Sequence, residues 1–459
     1  MDLDAVHHKF DVEKHVLNRI RPDAKTRKKV DAVVNELTSR LNAVITKWHL
    51  QAKVLLVGSC ARDTYLRDSR DIDLFVLFPE DMPRQELEEL GIKLGMEVMN
   101  GELRYAEHPY VHGTYRGFEV DIVPCYEIRD PEKKKSAVDR TPFHNQYVIT
   151  HLKEEQKDEV RLLKRFLKGL GIYGAEAAVQ GFSGYLCELL IIKYGSFRKV
   201  LESAWNWRAN LYIWLEKEPG AKFNDPLIFI DPVDSNRNVA SAVSVDALSH
   251  FIVAAGAYLK KPGIEFFFPK EKNLAMNIAR EKLARYIHNA GTALIMVSAS
   301  RPEKTEDIIA PQLKKMERVL VQNLSIAGFR VMRSFSFMLK RKMVVCIELE
   351  SRTLTSMYLH AGPNVWIRNS EDFLKKYSNA GNVLIPPFIS SGRWVVGLKR
   401  NYTDACKYLK ENIGAWNIGK DLANQKITVY TAGAVKSVAE LNQILQHLMP
   451  RFPWEAVHK

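Results

Sequence analysis

The segment Asp71-Ile-Asp-Leu-Phe-Val-Leu-Phe78 constrains this 459-residue chain more than any other stretch. An apolar run bounded this way reads as a strand, and it opens with two carboxylates at i and i+2. A strand projects such a pair to one side, about 6.5–7 Å apart. Ile72, Leu74 and Val76 then point the other way, into a core. The chain must therefore build a sheet that is covered on one face and charged on the other. Just upstream, Val54-Leu-Leu-Val57 reads as a short buried strand ending at Gly58-Ser59, with Arg62 following.

A third carboxylate fits the same frame. Phe118-Glu-Val-Asp-Ile-Val123 alternates between Gly117 and Pro124, so it reads as a strand with Asp121 at its middle. If that strand lies beside the first, Asp71, Asp73 and Asp121 converge. Such a cluster repels itself unless a cation neutralises it. All-oxygen donors with positions left for phosphate and water suit Mg²⁺. Two ions about 3.5–4 Å apart would stabilise both the attacking and the leaving oxygen of an in-line displacement. A lone Asp-x-Asp at a strand start carries little; Gly58-Ser59, Arg62 and Asp121 together change its meaning.

The phosphate side is also legible. Gly58 permits a tight turn, and Ser59 offers a hydroxyl and a backbone N–H. A helix starting there would favour an anion, and Arg62 could fork onto phosphate oxygens. Arg161 and Lys164 are further basic candidates, although either would serve equally on a solvated helix face.

Length predicts about three domains, placed at 1–150, 151–262 and 263–459. The first is an α/β unit with a helix over 24–50, the strands at 54–57, 72–78 and 118–123, a short helix over 61–67 and another over 84–98. The second is mainly helical; in 158–170, Val160, Leu163, Leu167 and Leu170 form an apolar stripe opposite Arg161, Lys164, Arg165 and Lys168. Asp231 to Asn238 is a polar loop. The boundary falls in Pro262 to Lys272. Beyond it, β-like runs at 292–297, 344–349 and 394–398 alternate with helical patterns at 307–324 and 436–449, an α+β region. The fold class expected is α+β multidomain.

The net charge of +13 favours a polyanionic partner, though a merely basic surface would give the same number. No stretch reaches the ~20 apolar residues of a membrane span. The N-terminal Met1 to Phe10 is polar and acid-bearing, unlike a signal peptide. Five scattered cysteines without a Cys-x-x-Cys pair argue against a disulfide framework or zinc site and for the cytoplasm.

The chain resembles the archaeal-type (class I) CCA-adding enzymes, tRNA nucleotidyltransferases of the polymerase β superfamily. The resembling segments are Val57-Gly-Ser-Cys-Ala-Arg62, Asp71-Ile-Asp73, Tyr105-Ala-Glu-His-Pro-Tyr-Val-His112 and Glu119-Val-Asp-Ile-Val-Pro-Cys125. They continue through Ser136-Ala-Val-Asp-Arg-Thr-Pro-Phe-His144, Glu159 to Lys164, Ile172 to Glu176, Gly181-Phe-Ser-Gly-Tyr-Leu-Cys-Glu188, Asp231 to Asp234 and Arg237 to Ala240. The likeness is dense from about 30 to 270 and thins afterwards.

The resemblance implies a polymerase β-like nucleotidyltransferase domain, a central helical domain and a C-terminal α+β RNA-binding region. It implies addition of C, C and A to the 3′ end of tRNA from CTP and ATP, without a nucleic-acid template. Asp71, Asp73 and Asp121 would hold magnesium. Gly58, Ser59, Arg62, Lys164 and Tyr173 would hold the triphosphate, with Thr141, His144 and His108 near the ribose and phosphates. Arg237 would contact the incoming base. A homodimer is implied, and so is binding of the tRNA acceptor and T-loop half, for which Lys340 to Lys342, Lys375-Lys376 and Lys399 to Tyr402 are candidate backbone contacts. Two departures stand out: Asp71 replaces a frequent Glu, and Cys60 a frequent Tyr. A poly(A) polymerase or oligoadenylate synthetase would share the triad, and a non-catalytic tRNA-binding protein would share the basic charge.

Overall fold

The computed structural model describes residues 3–105, 108–131, 134–269, 274–450 and 452. The chain separates into two compact units, Met1–Lys270 with Phe452–Lys459, and Glu271–Arg451. The Pro262–Lys272 boundary expected from sequence lies partly outside the described residues.

In the first unit, helices α1 (Leu3–Ile20) and α2 (Ala24–Lys47) lead into β1 (Lys53–Val57) and the one-turn helix α3 (Gly58–Ala61). Then come β2 (Asp71–Pro79), α4 (Arg84–Val98), β3 (Glu102–Tyr105), β4 (Pro109–Tyr115) and β5 (Phe118–Glu127). The five strands order as β1-β2-β5-β4-β3. Only the β2–β5 pair is parallel; the others are antiparallel. Alternation does what the sequence pattern requires. Ile72, Leu74, Val76 and Phe78 pack with Val120 and Ile122 into one cluster that also takes Leu37 and Leu41 of α2 and Leu87 and Leu94 of α4. The opposite face carries the carboxylates at the strand starts and, further along, a smaller apolar cluster of Val57, Phe75, Val123 and Cys125.

Helices α5 (Thr141–His151), α6 (Gln156–Gly169), α7 (Gly184–Tyr194), α8 (Phe197–Ala204) and α9 (Val245–Lys260) follow, with a small parallel pair of β6 (Leu211–Ile213) and β7 (Leu227–Phe229). Their core is aromatic: Phe166 lies 5.4 Å from Phe197 and 5.5 Å from Tyr258, ring centre to ring centre and edge-on.

Two expectations need correction. Residues 61–67 do not form a helix: helical turns stop at Ala61, and 62–67 run as turn and irregular chain. The reason is a competing use of the backbone. The carbonyls of Asp63, Thr64 and Tyr65 accept from Arg161 and Lys164 instead of from a following helical turn. The second correction follows from the first. Arg161 and Lys164 are not on a solvated face of α6; each is only 2% exposed, and Arg161 pairs with Asp63 and Asp158.

The second unit begins with α10 (Met276–Ala290), β8 (Ala293–Ser300), α11 (Glu306–Ile326), β9 (Val331–Met338) and β10 (Lys342–Leu349). It continues with β11 (Met357–Asn364), α12 (Glu371–Tyr377), β12 (Val383–Ser390), β13 (Arg393–Lys399), α13 (Ala405–Asn412), α14 (Lys420–Ala423), β14 (Ile427–Thr431) and α15 (Val438–Leu448). One antiparallel sheet runs β14-β8-β10-β9 and another β11-β13-β12. The larger sheet is buried on both faces: Val345 and Ile347 pack towards Met316 and Leu320 of α11, and Val344 and Cys346 towards Leu441 and Ile444 of α15. This is the α+β arrangement expected beyond the boundary.

Candidate active site

The parallel register decides the site. Asp73 stands opposite Asp121 and Asp71 opposite Glu119, so carboxylates of two strands share one face of the sheet. Glu119 is a fourth acid at this face, to which the sequence pattern alone assigns no role. Asp121 is held from the next strand, where His112 pairs with it in the antiparallel register. His112 Nδ1 lies 2.6 Å from Asp121 Oδ1, and its Nε2 lies 3.0 Å from Glu119 Oε2. Asp71 accepts from the Ser69 hydroxyl at 3.1 Å. Burial, and then the Asp121 and Asp71 charges, push the Asp73 carboxyl up to about 7. Burial also pushes Asp121 up, against the His112 contact.

Gly58 makes this crowding possible. Its φ is +74°, and a Cβ there would lie 2.1 Å from Asp73 Oδ2. The chain thus turns out of β1 with its backbone against the acidic face, as only glycine allows.

A cavity of about 320 Å³ opens beside Asp73. Six of the expected residues line it: Gly58, Arg62, Asp73, Thr141, His144 and Arg237. Val57, Phe75, Ser183 and Tyr185 complete the wall and were not foreseen as site residues. His144 and Tyr185 stack at 4.4 Å between ring centres. Ser183 caps α7, accepting from Leu186 N–H at 3.1 Å, so Tyr185 and the cap are delivered by one helix start. The paired motif Ser183-Gly-Tyr185 was the available signal.

Arg237 comes from the polar loop, and one carboxylate sets its direction. Asp231 Oδ2 accepts from Arg237 at 2.8 Å and lies 2.8 Å from His144 Nε2. Burial would push the Asp231 carboxyl up; the His144 and Arg237 contacts bring it down to about 2 instead. The buried Asp234 takes Arg140 at 2.8 Å and also Lys134, fixing the same loop.

Other expected residues lie outside the cavity wall. Ser59 follows Gly58 on α3. Asp71 and Asp121 flank Asp73 on the sheet. Lys164 is buried behind the wall, where it meets Thr64 and Glu188, and Tyr173 lies near it beside Gly184. His108 is buried against Glu88, 3.0 Å from Nδ1, and edge-on to Tyr126, so it is not part of the cavity. In the second unit, Lys342 pairs with Glu440 at 2.6 Å, whereas Lys340, Arg341, Lys375, Lys376 and Lys399 are exposed.

The donors on the acidic face are hard oxygens, and burial together with their mutual repulsion raises Asp73, so the residues fit a divalent cation. Among the described residues no three His, Cys, Asp or Glu side chains close into a complete metal-binding set. No helix is long and apolar enough to cross a membrane among the described residues.

Comparison with known proteins gives a consistent series. A family model described as a nucleotidyltransferase domain matches residues 38–144. One for the second domain of tRNA nucleotidyltransferase matches 158–268, and one for the C-terminal domain of CCA-adding enzyme matches 290–431. A CCA-adding enzyme of Methanosarcina barkeri is 37% identical over 413 residues, 89% of this chain and 90% of that protein. One of Thermoplasma volcanium is 37% identical over 90% of this chain and 91% of its own length. One of Saccharolobus shibatae reaches 40% over 80% of this chain and 85% of its own length.

Proposed function

Because the chain belongs to the CCA-adding enzymes, the tRNA nucleotidyltransferases that add C, C and A to the 3′ end of tRNA from CTP and ATP, we propose that the cavity beside Asp73 is where the incoming nucleotide sits. The observation that carries this is the side-by-side register of Asp73 and Asp121 at a cavity lined by Arg62, His144 and Arg237. The volume suits a partly enclosed small ligand.

Each residue then has a task. Arg62, with Lys164 behind it, takes the triphosphate end, helped by Gly58 and Ser59. The guanidinium of Arg237, steered by Asp231, meets the base: cytosine and adenine both offer ring-nitrogen acceptors on their pairing edges. The stacked His144–Tyr185 pair and Thr141 wall the ribose and base side. Tyr173 is assigned to the triphosphate end with Arg62 and Lys164. The family uses divalent metal ions, and the all-oxygen donors Asp71, Asp73 and Asp121 suit Mg²⁺. When bound, such ions would neutralise the triphosphate and acidify the attacking 3′-hydroxyl. Asp121, oriented by His112, faces that hydroxyl; attack on the α-phosphorus forms the new phosphodiester bond and releases pyrophosphate.

Residues 1–150 would carry the catalysis, 151–262 would complete the nucleotide site, and 263–459 would bind the tRNA acceptor and T-loop arms by shape and phosphate contact. The exposed Lys340, Arg341, Lys375, Lys376 and Lys399 are suited to that role. A homodimer in the cytoplasm completes the reading.

A primer-extension assay with Mg²⁺ tests it. The acceptors are tRNA ending at the discriminator base, tRNA ending in CC, and an unstructured RNA, each with CTP, ATP or both. Two C residues and then one A, on tRNA alone, is the expected product. Long A tails on any RNA would indicate a poly(A) polymerase, and binding of tRNA without extension a non-catalytic binder.

A further inference from the structure

The two cations assigned to the triphosphate end share one buried carboxylate. Glu188 lies on α7, and its side chain has no exposed surface. Its Oε2 is 3.0 Å from Arg62 Nε. Its Oε1 accepts the Thr64 hydroxyl and lies 3.4 Å from Lys164 Nζ. Lys164 also donates to the Thr64 carbonyl at 3.2 Å and to its hydroxyl oxygen at 3.0 Å.

The partners divide unequally. An ammonium has three donors, and Lys164 directs its own at Thr64 and Glu188. Arg62 behaves differently: Nε is ion-paired with Glu188 Oε2 without a formed hydrogen bond, while the outer guanidinium reaches the cavity wall and meets Asn145 Oδ1 at 3.4 Å. Two cations and one anion leave a single positive charge, and the geometry puts it on the cavity side. Without Glu188, two cations would be buried together unpaired, which is strongly unfavourable. Burial pushes the Glu188 carboxyl up, but the Arg62 and Lys164 charges and the Thr64 contact hold it below its ordinary range. Burial draws Lys164 down from its own.

We infer that Glu188 is a positioning residue for triphosphate binding: it fixes the Arg62 guanidinium, with Lys164 as its buried counterion, for CTP and ATP alike. The inference rests on reading the cavity as the nucleotide site. Among the described residues the cluster bonds within itself and to Asn145, whereas Arg237 bonds to Asp231, so the effect is common to both nucleotides.

Steady-state kinetics of the full chain distinguish this from a purely structural ion pair. In Glu188→Gln, KM for CTP and for ATP rises by the same factor, about tenfold, with kcat and the KM for tRNA within about threefold of the parent. Inhibition by added inorganic triphosphate weakens in parallel, and inhibition by CMP does not. Unchanged nucleotide KM with a lowered kcat would overturn the assignment, and so would nucleotide and tRNA KM rising together. If Glu188→Gln does not fold, Thr64→Val removes the hydroxyl shared by Glu188 and Lys164; the same split at smaller size supports the inference, and no split overturns it. The parent enzyme keeps the two readings apart. Failure of the parent to add C or A would count against the nucleotide site itself, whereas an active parent with an indifferent Glu188→Gln counts only against Glu188.

Discussion

Gly58 and Asp73 are in contact by default of a side chain: the place where a Cβ on Gly58 would stand is 2.1 Å from Asp73 Oδ2. Gly58→Ala therefore displaces the carboxylate that faces the cavity and adds left-handed strain of roughly 1–2 kcal/mol. The expected outcome is a loss of at least about a hundredfold in kcat for both C and A addition. Thermal unfolding measured alongside should show only a modest decrease.

Asp121→Ala should abolish addition of both nucleotides while tRNA binding, followed by filter retention or gel shift, stays within about threefold of the parent. His112→Asn should fall between, because it leaves the carboxylate but removes the imidazole that holds it at 2.6 Å. Turnover by Asp121→Ala comparable to the parent would remove the carboxylate assignment.

Arg237→Ala should harm nucleotide choice more than rate. Misincorporation of UTP or GTP, measured against CTP, should rise by about tenfold. Asp71→Ala should slow addition without changing choice. A loss of rate with unaltered choice would count against Arg237 as the reader of the base.

The raised Asp73 carboxyl makes cation binding depend on pH. With its carboxyl pushed up to about 7, Asp73 takes up a proton as pH falls below that value, so filling the site must displace that one proton. Mg²⁺ affinity should fall by up to about tenfold per pH unit below that point and level off above it. Calorimetric titration at about pH 6 and pH 8 reads this directly; equal affinities would contradict it.

Asp231 behaves in the opposite sense. Its carboxyl is brought from an ordinary 3.8 down to about 2. A group lowered in this way stabilises the fold fully above its unfolded pKa, and loses that contribution as pH falls through the folded one. The window is therefore about pH 4 down to 2, and the contribution roughly 2 kcal/mol. Asp231→Asn should flatten the stability loss over that window in urea unfolding, provided the protein remains folded there.

The legible parts of the molecule were those written in local pattern. Asp71, Asp73 and Asp121 announced themselves because alternation in β2 and β5 puts acids on one face and Ile72, Leu74 and Ile122 on the other. The stripe in α6 likewise identified Val160, Leu163 and Leu167 as core. What was hidden depends on partners distant in sequence. The expected helix at 61–67 gave way because Arg161 and Lys164 claim its carbonyls. No periodicity records that claim. Glu188 and Asp231 were equally hidden, because their partners, Arg62 and Lys164 for the one and His144 and Arg237 for the other, meet them only in the folded chain. His112 required the β4–β5 register, which residue spacing alone does not supply.

The lone parallel pairing in the first sheet has a consequence for how activity arises. β2 and β5 lie far apart along the chain, and a parallel partner cannot be reached by a hairpin turn; the connection runs through α4 and the β3–β4 ribbon before β5 returns beside β2. Closing that long loop costs entropy before its contacts repay it. Asp121 therefore joins Asp71 and Asp73 only when β5 pairs with β2, and a chain without that pairing leaves the assigned third carboxylate apart from the other two.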